Sequence, residues 1–221
     1  MAKRITSVLT RPAHRQNALS APRSDVFSPP PADRLLPVHS TRIAALTEHA
    51  SWAFVAVHGG SGAGLLTQLA RHPYDLALAA AVAAGQPPLG LPAFAVNAGR
   101  AWPDPILERT TWVVVVCRTT MRGLGRARDA AAQYLAGRAP DGVHLVGVVT
   151  IADQPGRLPQ PIAAAKGLLA GVFPHTWHVP YVPEYRLLTG LPGEECPATH
   201  PAVDDVLAAI RTTVTPKGHL A

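Results

Sequence analysis

Seven residues, Thr111-Trp-Val-Val-Val-Val-Cys117, limit the fold more than any other stretch of the chain. A run of β-branched residues with no polar alternation reads as a strand covered on both faces, and strands of that kind sit in parallel sheets between two layers of helix. Further apolar strands are predicted at Trp52–Val57, His144–Ile151 and His175–Val179, while Pro87–Pro105 holds only a short apolar piece, Ala93–Val96, and then a loop with Trp102-Pro103-Asp104-Pro105. The stretches between them carry helical patterns. Helices are expected at Ala63–Arg71, with Leu65, Leu66 and Leu69 on one face, and at Tyr74–Ala84, ending at Gly85. Others are expected at Met121–Ala136, with Met121, Leu124 and Leu135 inward, and at Pro161–Ala170. The last helix is Pro201–Thr213, where Pro201 fits the first position, Asp204 and Asp205 favour the first turn, and Val203, Val206, Leu207 and Ile210 form the apolar stripe. A short element is expected at His39–His49, and Tyr181–Leu188 turns back after the last strand. This alternation predicts an α/β fold with a mostly parallel sheet, helices on both faces, and sites at the carboxyl ends of strands.

Apolar residues make up 48% of the 221-residue chain but aromatics only 5%, so the core must be built largely from Ala, Val and Leu. The net charge of +6 is unevenly placed. Residues 1–34 carry six basic groups against Asp25 and Asp33, and the rest of the chain carries 14 basic and 12 acidic groups. Residues 1–37 are rich in Ser, Pro, Ala and Arg and show no helical or strand period, which predicts a disordered basic leader. Such a leader, through residues 1–34, can touch nucleic acid or another anionic surface; the plainer reading is a solvated tether. One domain is expected over 38–215, followed by a tail at 216–221. The two cysteines, Cys117 and Cys196, make no disulfide framework, and Cys117 in its strand reads as a small buried hydrophobe. The apolar run Leu76–Val96 is broken by Gly85-Gln86-Pro87-Pro88 and Pro92, so no membrane span is expected. The expected setting is a reducing cytoplasm.

Trp52–Leu69, WAFVAVHGGSGAGLLTQL, lays out strand, glycine loop and helix, the arrangement of a phosphate cradle. Gly59 and Gly64 have the separation of a phosphate-binding loop, but Leu65 and Leu66 stand where GxxxxGK[ST] requires Lys and Ser/Thr. Alignment on the deviant form KGGxGK[ST][ST] keeps three glycines. His58 then stands at the signature lysine, Ala63 at the loop lysine, and Gly64 at the magnesium-binding hydroxyl residue. On these residues, His58-Gly59-Gly60-Ser61-Gly62-Ala63-Gly64-Leu65, the chain resembles the ParA/MinD-type deviant-Walker ATPases, and a set of actinobacterial proteins carrying a VHGG-type loop. Val113–Thr120 resembles the VVxVxxP segment of that superfamily, His144–Ile151 its next core strand, and Trp177–Tyr181 its late V-I-P segment, giving coverage of about 51–188.

The resemblance implies a P-loop NTPase-like fold and a backbone cradle at His58, Gly59, Gly60, Ser61, Gly62, Ala63 and Gly64 for ATP or another phosphate-containing ligand. Lysine neutralises β/γ-phosphate charge and Ser/Thr holds Mg²⁺ in such a loop; Ala63 and Gly64 do neither, so magnesium binding and efficient hydrolysis are not expected. Asp153 ends a strand in IADQPG and is the candidate nucleotide-side carboxylate, with a plain turn-forming role as the alternative. If His144–Ile151 is a later strand, the switch region falls near Asn97–Asp104, with Asn97 and Asp104 as candidates. An empty hollow framed by the amides of Gly60–Leu65 would keep anion binding open; a loop filled by His58 or a leucine would not.

A hydrolase elbow would use Ser61 as nucleophile, but GxSxG fails at Ala63. The dinucleotide pattern GxGxxG fails at Leu65. His175 and His178 lack a nearby Cys or carboxylate to complete a metal site, which favours capping or core roles. Trp177, Tyr181 and Tyr185 cluster as core or as an interface. The expectation is a non-catalytic or weakly active P-loop NTPase-like accessory or adaptor protein. Its partner would be a protein of an ATPase-driven partitioning, conjugation or secretion system. The rival is a ParA/MinD-like ATPase that binds nucleotide and forms a homodimer.

Overall fold

The computed structural model describes residues 30–38, 50–87, 94–104, 111–186 and 199–214. The element expected at His39–His49, most of the leader, Cys196 and the tail lie outside the described residues. Five strands form one all-parallel sheet: β1 (Ala50–Ala56), β2 (Phe94–Asn97), β3 (Thr111–Arg118), β4 (Val143–Ile151) and β5 (His175–Val179), in the spatial order β2-β1-β3-β4-β5. The helices are α1 (Ala63–Ala83), α2 (Met121–Leu135), α3 (Gln160–Leu169) and α4 (Pro201–Val214). The fold is α/β, with helices on both faces of the sheet.

The valine run does what its composition requires. Val114 and Val116 point into one layer with Trp52, Phe54 and Val149, beneath Leu66 and Leu69 of α1 and Val203, Leu207 and Ile210 of α4. Val113, Val115 and Cys117 point into the other, with Ala53, Val55 and Val148, against Leu124, Ala127, Ala130 and Ala131 of α2 and Leu169 of α3. The small alanines let α2 approach the sheet closely, which is how a core poor in aromatics packs without voids.

Two helix expectations are corrected. Arg71 and Tyr74 do not end and begin separate helices: α1 runs through Pro73. An interior proline costs about 3 kcal/mol. Burial of Leu69 and Ala70 before it and of Tyr74 after it offsets that cost, and each large apolar side chain taken from water contributes about 1.5–3 kcal/mol. Tyr74 packs on Phe94 of edge strand β2 at 4.4 Å between ring centres, and Arg71 lies over the same ring at 5.2 Å. Met121, expected inward, is 55% exposed, because it opens α2 at the rim of the sheet.

Residues 30–38 dock on the body of the domain, so the folded part begins before the leader boundary expected at residue 37. The segment carries a 3-10 turn at Ala32–Arg34. Its clamp is Gln133 of α2, whose buried amide accepts from Leu36 N at 2.8 Å and donates to Leu36 O at 2.9 Å. Trp102 N donates to Pro37 O at 2.8 Å, and Arg34 lies 3.8 Å from the Asp129 carboxylate. Among the described residues no helix is long and apolar enough to cross a membrane.

Gln133→Ala is expected to lower stability by about 1–3 kcal/mol, since it leaves two backbone groups of Leu36 without their partner. Amide hydrogen exchange checks it: Leu36 should exchange faster while the β3 amides stay protected. Unchanged exchange at Leu36 would show that Gln133 does not hold the segment.

Candidate functional site

The chain leaves β1 toward β2 on one side and returns to β3 on the other, so the sheet has its switch point between β1 and β3. In open parallel sheets this is where the loops at the carboxyl edge diverge and leave a crevice for a ligand. The glycine loop follows β1, and Arg118-Thr119-Thr120 joins β3 to α2, so the two flank that point.

The loop is tied inward. Gly62 is the N-cap of α1 with φ +95°, a left-handed conformation that a side chain would strain. Ser61 is buried, and its Oγ accepts from Ala63 N at 3.3 Å, which satisfies one of the first amides of α1. Ala63 is buried in the sheet–helix layer. Gly64 lies near Asn97, whose Oδ1 closes a local turn by accepting from Gly99 N at 2.8 Å. Ser61 makes no bond to a histidine among the described residues.

His58 fills the switch point. Its Nδ1 bonds to Gly59 O at 2.8 Å, and its Nε2 to Arg118 N at 3.1 Å. A carbonyl only accepts and a backbone N–H only donates, so the ring is neutral, with the proton on Nδ1. The imidazole also lies against Gly123 in the first turn of α2: a Cβ there would meet His58 Nε2 at 2.9 Å and the Arg118 carbonyl closer still. Thr120 caps the same turn by accepting from Gly123 N at 3.0 Å.

Arg118 completes the tie by donating from Nε to Gly60 O at 3.0 Å and from its terminal nitrogen to Ala152 O at 3.3 Å. Burial and the neighbouring Arg186 push its guanidinium below the ordinary value, against the pull of Asp153 and Tyr181. It remains a cation throughout the physiological range. Asp153, at the end of β4, is two strands from the loop's own strand. Arg186 holds its carboxylate at 3.0 Å and also donates to its carbonyl, and its N–H donates to Thr119 Oγ1 at 3.1 Å. Arg118 thus links the loop and the Asp153 corner, while Asp104 is exposed. Between Leu65, Leu66, Arg118, Ile151 and Tyr181 lies a hollow of about 20 Å³, room for about one water.

The larger spaces open on the other side of the loop. A cleft of about 230 Å³ lies between Asp33–Pro37, His58-Gly59, Arg100, Arg122 and Arg126. A groove of about 390 Å³ adjoins it, sharing Arg34, Arg122 and Arg126 and adding Met121, Gly125 and Asp129. Sequence reasoning passed over these arginines. The signal was present: Arg122 and Arg126 are one turn apart at the start of a helix that follows a strand, and so sit at the carboxyl edge.

Burial pushes the Cys117 thiol up to about 12, with Lys166 acting slightly the other way, so it stays protonated. His175 stacks on Trp177 with ring centres 5.6 Å apart, and among the described residues no three His, Cys, Asp or Glu side chains meet to hold a metal. Trp177 and Tyr185 pack on the core, and Tyr181 lies under Arg186 at 5.6 Å. His178 Nδ1 bonds to Thr150 O at 3.0 Å; burial, then the charge of Lys166, lower its pKa, and the Thr150 bond opposes them. No protein-family profile, curated protein or solved structure matches the chain.

Two glycines of α2 should respond oppositely to alanine. Gly123→Ala drives a methyl into Arg118 O and His58 and is expected to cost about 1–3 kcal/mol. Gly125→Ala meets nothing within 4 Å and is expected to stabilise by about 0.5–1 kcal/mol through helix propensity. Urea denaturation checks both, and equal effects would refute the close approach at Gly123.

His178 has its own pH signature. A folded-state value below the ordinary 6.5 means that its share of stability is complete above about pH 6.5 and is lost as pH falls through the folded value. An NMR titration should place His178 below 6.5, and Lys166→Gln should raise it; no change in that variant would remove Lys166 as a cause.

Proposed function

We propose that this chain is a non-catalytic P-loop NTPase-like domain, resembling the ParA/MinD-type ATPases in its strand–glycine–helix layout, that acts as an accessory or adaptor. In this reading it works with a protein partner in an ATPase-driven assembly of the partitioning, conjugation or secretion kind, in the cytoplasm. The observation that carries this reading is the occupation of the switch point by His58, whose two ring nitrogens are both committed to backbone groups at Gly59 and Arg118. Phosphoryl transfer needs a cation on the β/γ-phosphates and a hydroxyl on magnesium, and Ala63 and Gly64 supply neither. The tie from Ser61 to Ala63 N and the water-sized hollow beside Leu65 support the same reading. So does Asp153, whose carboxylate is held by Arg186.

The test is thermal unfolding with ATP, with and without Mg²⁺, combined with a phosphate-release assay. Nucleotide at a hundredfold excess over its Kd would stabilise the native state by about 2.7 kcal/mol. The expected result is no magnesium-dependent rise in Tm and no phosphate release. A rise that requires Mg²⁺ would overturn the proposal in favour of an ATPase that dimerises around nucleotide.

A further inference from the structure

We propose that the arginine-lined cleft between residues 30–38, the His58-Gly59 corner and the first turns of α2 binds a small anion carrying two or more phosphate groups. This goes beyond the adaptor reading, which assigns no ligand to that side of the loop.

Charge comes first. Arg34, Arg100, Arg122 and Arg126 line the two adjoining spaces, against only Asp33 and Asp129. Asp129 lies nearest Arg34, at 3.8 Å, and is itself largely buried. Among the described residues no carboxylate pairs with Arg100, Arg122 or Arg126. These cations come from three separate places in the chain: the loop after β2, the start of α2, and the docked segment. Convergence of like charges on one cleft is unfavourable until a counter-ion enters, and it raises the local concentration of anions there.

Geometry gives the class of anion. A guanidinium offers a planar fork of N–H donors that matches phosphate oxygens bidentately. Arg122 and Arg126 stand one turn apart, about 5–6 Å between Cβ atoms, so both can reach one extended anion. They also lie in the first two turns of a 15-residue helix, the end that favours negative charge. Volumes of about 230 and 390 Å³ exceed what a single phosphate needs and suit a chain of phosphates. The cleft opens at the carboxyl edge beside the switch point, where ligands enter sheets of this order. Because arginines supply the counter-charge, binding needs no magnesium, and magnesium should compete by neutralising the ligand.

Gly125 provides a probe that touches none of the arginines. It lines the groove, and a Cβ built there meets nothing within 4 Å. The experiment is calorimetric titration of the full chain with sodium tripolyphosphate and with pyrophosphate, at fixed ionic strength without magnesium. Sulfate serves as the simple-anion control and a single-stranded 20-mer oligonucleotide as a second arm. Wild type should bind tripolyphosphate more tightly than pyrophosphate, and both more tightly than sulfate. R122A and R126A should each weaken binding about tenfold or more, the loss expected for a hydrogen bond between charged groups. Gly125→Glu should weaken it comparably by placing a carboxylate in the groove, with circular dichroism confirming the fold of each variant.

The proposal fails if wild type binds neither polyphosphate. It fails equally if R122A, R126A and Gly125→Glu bind like wild type, or if only the oligonucleotide binds. None of those results bears on catalysis. Magnesium-dependent nucleotide binding that survives R122A and R126A would overturn the adaptor reading alone, so the two failures are told apart by different measurements.

Discussion

The parallel pairing of β1 with β3, from Trp52 opposite Trp112 to Ala56 opposite Val116, sets the geometry of the carboxyl edge. It brings His58 level with Arg118, so one ring can bond backward to its own loop and across to the neighbouring strand. The same register makes Gly123 a tight position, since the first turn of α2 must pass over that ring. A side chain longer than the glycine hydrogen would move α2 outward and loosen the layer built on Leu124, Ala127, Ala130 and Ala131. The loop, the strand end and the helix start are therefore one packed unit, and Arg118 extends it to Ala152 and the end of β4.

Much of this was legible in the chain. Thr111–Cys117 announced a strand covered on both faces, and it is the central strand, with its four valines divided between the two cores. The stripe of Val203, Val206, Leu207 and Ile210 is the buried face of α4. What escaped the sequence involves contacts distant along the chain. Pro73 reads as a break locally, but Phe94, about twenty residues on, supplies the packing that carries α1 past it. The docking of residues 30–38 depends on Gln133, 97 residues away from Leu36, and nothing in a Ser/Pro/Ala-rich stretch advertises a single buried amide. Met121 fits an apolar stripe on paper, yet it falls on the first position of α2, where a helix overhangs the sheet.

The site was half legible for a related reason. A glycine loop after a strand marks where backbone amides gather, but whether they face a ligand or the protein depends on side chains from elsewhere. Here Ser61 Oγ takes the Ala63 amide, and His58 bonds to the Gly59 carbonyl and the Arg118 amide. The arginines were invisible as a cluster because Arg34, Arg100 and Arg122 are scattered in sequence and are gathered only by strand order and by the docked segment.

These two halves bear on each other. A lysine in the loop would place its charge over the N-terminus of α1, on the side where the hollow holds about one water. The chain instead keeps a neutral imidazole at the switch point and carries its positive charge on neighbouring elements, across the loop from α1. A neutral ring is compatible with a backbone bond on each nitrogen, whereas a protonated one would present a donor to the Arg118 N–H and break that contact. Charge on Arg100, Arg122 and Arg126 can stay solvated at the rim, where its desolvation cost is small. The arrangement divides what a phosphate-binding loop ordinarily combines: the glycine turn holds strand, loop and helix together, and whatever attraction for anions the edge possesses resides in side chains that can change without disturbing that packing.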